Sequence, residues 1–314
     1  MKEPLFENSI LPWEQNHTPD IMDEIAVENT RLSIVIPIFN SGKFLEKTIR
    51  SLMLSDLRNV QIIVRDGAST DNTQDILLHY KDIIDIVISE KDEGQSDAIN
   101  KGFDLADGEI FFWLNGDDIV LPDALSIVRN FYLANNRPQL MVGNAYMTEI
   151  NFDPIHHFVY SCDRLEHSYL LDYAKNHLIQ PSVFFSAKAW ETCGPLDIDD
   201  HYAMDADLFI SMTKAFKALH IDRDLAYSVY HKDCKTRHKR AESIAQLALV
   251  QAKHGGLYEA RKTLAILVTL YNEVANRIVE SPISYENIIA HRLSLNELSQ
   301  LHYQAILECN HEVD

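Results

Sequence analysis

Along the chain, apolar residues first gather into a short run, Leu32-Ser33-Ile34-Val35-Ile36, which Pro37 stops. A β-rich run of this kind reads as a strand. Leu45, Ile49, Leu52 and Met53 then recur at helical spacing. Val60–Arg65 predicts a second strand ending at Asp66-Gly67, Gln74–Tyr80 a helix, and Ile83–Ile88 a third strand. Asp97–Leu105 reads as helical. Glu109–Leu114 is apolar enough for a strand buried on both faces. Pro122 sits where a first helical turn tolerates it, ahead of a helix over Ala124–Ala134. Strand and helix alternate four times with short connections. That pattern predicts an α/β domain with a mostly parallel central sheet and helices on both faces.

From about residue 139 to 238 the pattern is less regular, with short strands expected at Leu140–Met147 and Ser182–Phe185. Beyond Ala241 the spacing of Ile244, Leu247, Val250, Leu257, Ala260, Leu264, Leu267 and Leu270 is helical, and Gly255-Gly256 breaks it into a hairpin. The organisation expected is an acidic, irregular extension over 1–30, an α/β domain over 31–240 and a helical C-terminal extension over 241–314. Ile10, Leu11 and Trp13 are expected to pin the first segment to the domain. The last is expected to act as a cap or as a homo-oligomer contact.

Composition narrows the function. The net charge is −19, a field that repels a phosphate backbone and argues against nucleic-acid partners. The basic stretch Lys232–Arg240 is short and reads as a solvated loop or helix end. Cys162, Cys193, Cys234 and Cys309 are far apart, so neither a zinc site nor a disulfide framework is expected. The N-terminus lacks a signal-peptide pattern, and the longest apolar stretch, near Thr263–Tyr271, is too short to cross a bilayer. A cytoplasmic protein is expected, touching the inner face of a membrane at most peripherally.

In open α/β sheets, ligands bind outside the carboxyl ends of the strands. Those ends carry Pro37-Ile-Phe-Asn40, Asp66-Gly-Ala-Ser-Thr-Asp71, Glu90-Lys-Asp92-Glu-Gly-Gln95-Ser-Asp97 and Asn115-Gly-Asp117-Asp118. No Gly-x-Gly-x-x-Gly turn follows the first strand and no P-loop is present. An edge this acidic can hold a diphosphate through a hard divalent cation. Asp117-Asp118 is the best candidate to hold it, although an isolated Asp-Asp is more often a turn or a helix cap.

Further segments join these in order: Phe44-Leu-Glu-Lys-Thr-Ile49, Gly108-Glu-Ile-Phe-Phe-Trp-Leu114, Gln180-Pro-Ser-Val-Phe-Phe185 and Tyr202-Ala-Met-Asp-Ala-Asp-Leu208. Over about residues 32–238 the chain resembles the inverting glycosyltransferases of family 2, which have the GT-A fold. The resemblance implies roles. Pro37 to Asn40 would lie against the nucleotide, Asp66 would hydrogen-bond the base, and Asp97 would sit beside the nucleotide-sugar. Asp117 would face the ribose or donor sugar, and Asp118 would ligate Mn2+ or Mg2+. Asp205 matches the catalytic base, with Met204 where a Glu usually precedes it and Asp207 as the rival carboxylate. His231 and Lys235 are weaker candidates for phosphate or metal contacts.

The activity implied is transfer of a sugar from a nucleoside-diphosphate sugar to a hydroxyl on a glycan, a lipid-linked or another acceptor, in cell-surface polysaccharide or lipopolysaccharide assembly. A nucleotidyltransferase would want a Gly-rich basic turn where Asn40-Ser-Gly-Lys stands, and a non-catalytic binding module would have no need of Asp117-Asp118 and Asp205. His156-His157 lacks acidic partners at ligand spacing. His201 and Asp205 would be neighbours on a helix, and Trp113, Trp190 and Tyr202 read as core.

Overall fold

A computed structural model describes residues 2–234 and 239–280, with 270–280 as backbone alone. The elements begin with α1 (Glu24–Glu28), β1 (Leu32–Ile38), α2 (Leu45–Leu52), β2 (Val60–Asp66), α3 (Thr73–His79), β3 (Ile86–Ser89), α4 (Gln95–Phe103) and β4 (Ile110–Trp113). β5 (Ile119–Val120), α5 (Ala124–Ala134), β6 (Leu140–Thr148), β7 (Pro154–Phe158), α6 (His167–Leu170) and α7 (Tyr173–Asn176) follow. The chain continues through β8 (Val183–Ser186), α8 (Ala187–Cys193), α9 (Met204–Ala215), β9 (Ala218–Val229), α10 (Arg240–Lys253) and α11 (Leu257–Glu280). The expected Lys235 contact and everything beyond residue 280 lie outside the described residues.

The strands form one sheet in the order β3-β2-β1-β4-β8-β6-β9-β5, with β7 added on β6. β1, β2, β3, β4, β6 and β9 point one way, and β5, β7 and β8 run against them. The expected mostly parallel sheet is present. Every residue of β1 is buried, and successive side chains feed opposite cores because a strand alternates its faces. Val35 shares one core with Ile99 and Phe103 of α4. Ile34 and Ile36 share the other with Leu45 and Ile49 of α2 and Ile76 of α3. Helices therefore cover both faces.

β1 runs one residue past Pro37, where the sequence placed its end. The Val35 carbonyl accepts from Leu114 on the β4 side, and the Ile38 carbonyl accepts from Gly67 on the β2 side, both at 2.9 Å. Pro37 thus faces the β4 side, where pairing has already ended at Val35–Trp113. No neighbour loses a hydrogen bond to its missing N–H.

The N-terminal extension is docked. Leu11 is 1% exposed, and Trp13 packs edge-on against Tyr227 and tilted against Phe152, whereas Ile10 stays exposed. Glu14 is buried in an ion pair with Arg50 of α2. The same guanidinium donates to the Tyr80 hydroxyl at 2.9 Å and to the Lys2 carbonyl at 2.8 Å. Removing one partner of a buried pair leaves the other charge uncompensated. Glu14→Ala is therefore expected to destabilise the fold by about 3–5 kcal/mol, read as a fall in the urea midpoint. A shift below about 1 kcal/mol, the worth of an exposed pair, would show that the anchor is not needed.

At the other end, α10 and α11 form the expected hairpin, turning at Gly255 with φ of 93°. Val250 of α10 enters the same core as Phe209 of α9, so the hairpin is seated on the domain.

Candidate active site

Four loops leave the carboxyl ends of β1, β2, β3 and β4 side by side, and hydrogen bonds staple them together. Asn40 adopts φ of 49° after β1, a conformation that Asn tolerates better than most residues. Its N–H donates to Ser69 Oγ at 2.7 Å, and its Oδ1 accepts the Thr70 N–H at 2.9 Å. A Cβ on Gly42 would lie 1.8 Å from Asn72 Oδ1, so the Asn72 side chain would have to move aside. Pro37 is buried in β1, and its neighbour Phe39 is 63% exposed at the rim. Asp66 is buried at the end of β2, and Ser69, Gln74 and Ser89 all donate to its oxygens. It organises the loop below the rim rather than standing open to it.

Asp97 lies in the first turn of α4. Burial would raise its pKa, but the hydrogen bond from Lys101 at 2.7 Å and that from the Glu93 N–H at 3.0 Å hold it below the usual carboxylate range.

The fourth loop holds the strongest chemistry. Asn115 accepts from Gln95 Nε2 at 2.8 Å and donates from Nδ2 to Asp118 Oδ2 at 2.9 Å and to Gln180 Oε1 at 3.2 Å. Asp118 is 4% exposed, and its second oxygen accepts the Val229 N–H at 3.1 Å. Burial raises its pKa to about 7, and the adjacent Asp117 charge pushes the same way. Asp117 is more open, and its Oδ2 meets His231 Nε2 at 2.9 Å. The His231 ring stacks on Phe44 with centroids 4.2 Å apart. Burial alone would lower the His231 pKa, but its bonds with Asp117 and Cys234 raise it to about 10. Asp117, His231 and Cys234 bring their ligand atoms within 4.8 Å of one another. A carboxylate, an imidazole and a thiol at that spacing fit a divalent transition ion.

Asp205 is half-buried in the first turn of α9, where its Oδ1 accepts the Ala206 N–H at 2.8 Å. A chain of contacts ties its neighbour Met204 to the acidic loop. Ser96 Oγ reaches Met204 Sδ at 2.8 Å, and its neighbour Gln95 holds Asn115. Asp207 points elsewhere, with Lys253 Nζ and His254 Nε2 each 2.7 Å from its oxygens.

The structure thus brings Asp117, Asp118 and His231 together at the end of β4, whereas Asp205 stands apart in the first turn of α9, linked to that loop only through its neighbour Met204 and the Ser96–Gln95 pair. Pro37 and Asp66 stand in the layer beneath the rim. Asn115, Gln95 and Gln180 were given no role from sequence, although each stands in a quoted segment. Cys234, expected in no metal site, stands beside His231 and Asp117, and nothing local in the sequence signals it. His201 precedes α9 rather than lying on it, and a Cβ on Gly94 would stand 3.8 Å from its Nδ1. His157, expected to lack an acidic partner, meets Asp224 of β9 at 2.7 Å. Trp113 is fully buried, and Trp190 packs on Phe103 and Phe185.

The model of the glycosyl transferase family 2 domain matches residues 33–190, a span that takes in all four loops. This chain belongs to glycosyltransferase family 2. A relative from Campylobacter jejuni, a GalNAc(5)-diNAcBac-PP-undecaprenol beta-1,3-glucosyltransferase, is 34% identical over 100 residues, 31% of this chain and 32% of that protein. Chondroitin synthase from Escherichia coli is 24% identical over 210 residues, 64% of this chain and 29% of that protein. The chain therefore spans a third or less of either protein's length. A mannosyltransferase from Pyrobaculum calidifontis, solved with GDP-Man and Mn2+, superposes with a TM-score of 0.54 at 16% identity, covering 91% of this chain and 89% of that one. The fold shared with such structures is GT-A.

Proposed function

We propose that this family-2 chain is an inverting, divalent-metal-dependent glycosyltransferase that moves a sugar from a nucleoside-diphosphate sugar to an acceptor hydroxyl. The observation that carries it is the Asp117–His231 pair, 2.9 Å apart at the end of β4, with Cys234 alongside. Asp117 and His231 would hold the ion, and Asp118 would support them from beneath through its bonds with Asn115 and Val229. When bound, Mn2+ or Mg2+ would neutralise the charge that develops on the departing nucleoside diphosphate.

In this reading the rim around Phe39 and Asn40 receives the nucleotide, and the exposed Phe39 ring stacks on the base. Asp66 shapes the turn below, Asp97 lies beside the nucleotide-sugar, and Asp117 faces its ribose or sugar. Asp205 takes the proton from the acceptor hydroxyl. The acceptor oxygen then forms its bond to the anomeric carbon on the face opposite the diphosphate. The bond to the diphosphate breaks with its electron pair, and the configuration inverts in one displacement. The undecaprenol-linked glycan in the Campylobacter relative's name supports a glycan or lipid-linked acceptor in cell-surface polysaccharide or lipopolysaccharide assembly. Among the described residues no helix is long and apolar enough to cross a membrane. We place the chain in the cytoplasm, with peripheral contact at the membrane's inner face.

The test is a screen of UDP- and GDP-sugars with and without Mn2+ by thermal shift, because a ligand bound only by the native state raises the melting temperature. A hit should then release nucleoside diphosphate. If no nucleotide-sugar shifts the melting temperature and none is turned over, the proposal falls. Base–aromatic stacking is worth about 1–3 kcal/mol. Phe39→Ala is therefore expected to raise the donor Kd roughly tenfold to a hundredfold, measured by isothermal titration. An unchanged Kd would remove Phe39 from the base site.

A further inference from the structure

A set of contacts that the proposed reaction does not use joins the C-terminal hairpin to the segment entering α9. Gln246 of α10 accepts the Tyr202 N–H at 2.8 Å and donates from Nε2 to the Asp199 carbonyl at 3.4 Å. Asp200 folds the same segment on itself, its Oδ1 accepting the Tyr202 N–H at 3.1 Å and the Ala203 N–H at 2.8 Å. One turn further on, Lys253 and His254 at the end of α10 clamp Asp207, each at 2.7 Å. Asp205 lies between these two clamps. Ile244, Ala248 and Val250 of α10 are buried and seat the helix on the domain, so the polar contacts are not what docks it.

We infer that Gln246 is a positioning residue, which together with the Lys253–His254 clamp on Asp207 fixes the first turn of α9 and so the aim of Asp205. The inference rests on the reading of Asp205 as the base. Its physical ground is that proton abstraction needs the carboxylate within hydrogen-bond reach of the hydroxyl. A displacement of about 1 Å in a catalytic group can lower the rate about a hundredfold. Ser96 also holds the segment entering α9, its Oγ donating to the Asp200 carbonyl at 3.3 Å and reaching Met204 Sδ at 2.8 Å, but that tie comes from α4 on the other side. Gln246 ties the segment to a helix anchored elsewhere in the core. The hairpin thereby acts on catalysis without any group in the donor loops.

The test uses the full chain carrying Gln246→Leu or Gln246→Glu. Glutamate keeps the acceptor for the Tyr202 N–H, and leucine keeps neither bond. With Mn2+ and the nucleotide-sugar identified as donor, Gln246→Leu is expected to lower kcat for nucleoside diphosphate release about tenfold. The donor Kd should stay within about twofold, which is the split expected when an interaction made only in the transition state is lost. Hydrogen exchange of the 199–206 segment should quicken. Gln246→Glu should recover most of kcat. Wild-type kcat in Gln246→Leu, or a parallel loss of kcat and donor affinity, would overturn the inference. Asp205→Asn in the same assay separates the two ideas: a fully active Asp205→Asn removes the base assignment itself, whereas an inactive Asp205→Asn beside a normal Gln246→Leu removes only the brace.

Discussion

Asp205→Asn is expected to lower turnover by about 10^2 to 10^4, the usual worth of a general base, while donor affinity in the presence of metal stays near wild type. The amide keeps the shape of the side chain and can still accept the Ala206 N–H. It cannot take the acceptor's proton. Asp207→Asn serves as the control. That carboxylate is already engaged by Lys253 and His254, which hold its pKa down against the effect of burial. A pinned, ion-paired carboxylate is a poor proton acceptor, so the change should lower turnover by about tenfold at most, through the loosened clamp. The measurement is nucleoside diphosphate release beside donor titration for both variants. If Asp207→Asn is inactive and Asp205→Asn turns over normally, the base has been assigned to the wrong residue. If both lose donor affinity, the first turn of α9 belongs to the nucleotide site.

Removal of divalent ions should have an effect of similar size. The proposed ion site supplies several kcal/mol to the leaving diphosphate, so excess chelator is expected to reduce release by two orders of magnitude or more, about 1.4 kcal/mol per factor of ten. Asp117→Asn should weaken Mn2+ binding strongly, because its oxygen faces His231 in the cleft. Asp118→Asn should weaken it less, since Asn115 and the Val229 N–H already occupy its two oxygens. Titration of Mn2+ into both variants reads the difference without any sugar donor. Full activity in excess chelator would overturn the metal assignment. A larger loss of Mn2+ affinity in Asp118→Asn than in Asp117→Asn would return ligand duty to Asp118.

The elements with a clean local period were legible in the sequence. β1, β2, β4, α2 and α5 fall within a residue or two of their expected positions, because burial on both faces makes a strand an apolar run, and a buried helical face repeats with the turn. β9 was not legible. Its pairing with β6 slips twice, between Gly143 and Asn144 and between Asn144 and Ala145. Residues inserted at such bulges break the two-residue alternation that marks a strand. The acidic segments were legible as a set, since strand ends in a parallel sheet share one edge and their turns are short.

What each carboxylate touches was decided only by the tertiary structure. Asp117 and Asp118 are neighbours in sequence, yet one opens to the cleft and the other is buried against Val229. Asp205 and Asp207 differ in the same way, because α10 returns its end to Asp207 alone. His231 reaches Asp117 from 114 residues away, and His157 reaches Asp224 from 67. The sequence by itself determined the alternation of strands and helices and the acidity of their shared edge, since backbone geometry sets those over a few residues. The pairing of each charge was left to the sheet order, which brings β9 and the residues after it alongside the end of β4, and to the seating of the C-terminal hairpin. Burial and ion pairing depend on distances that no local period encodes.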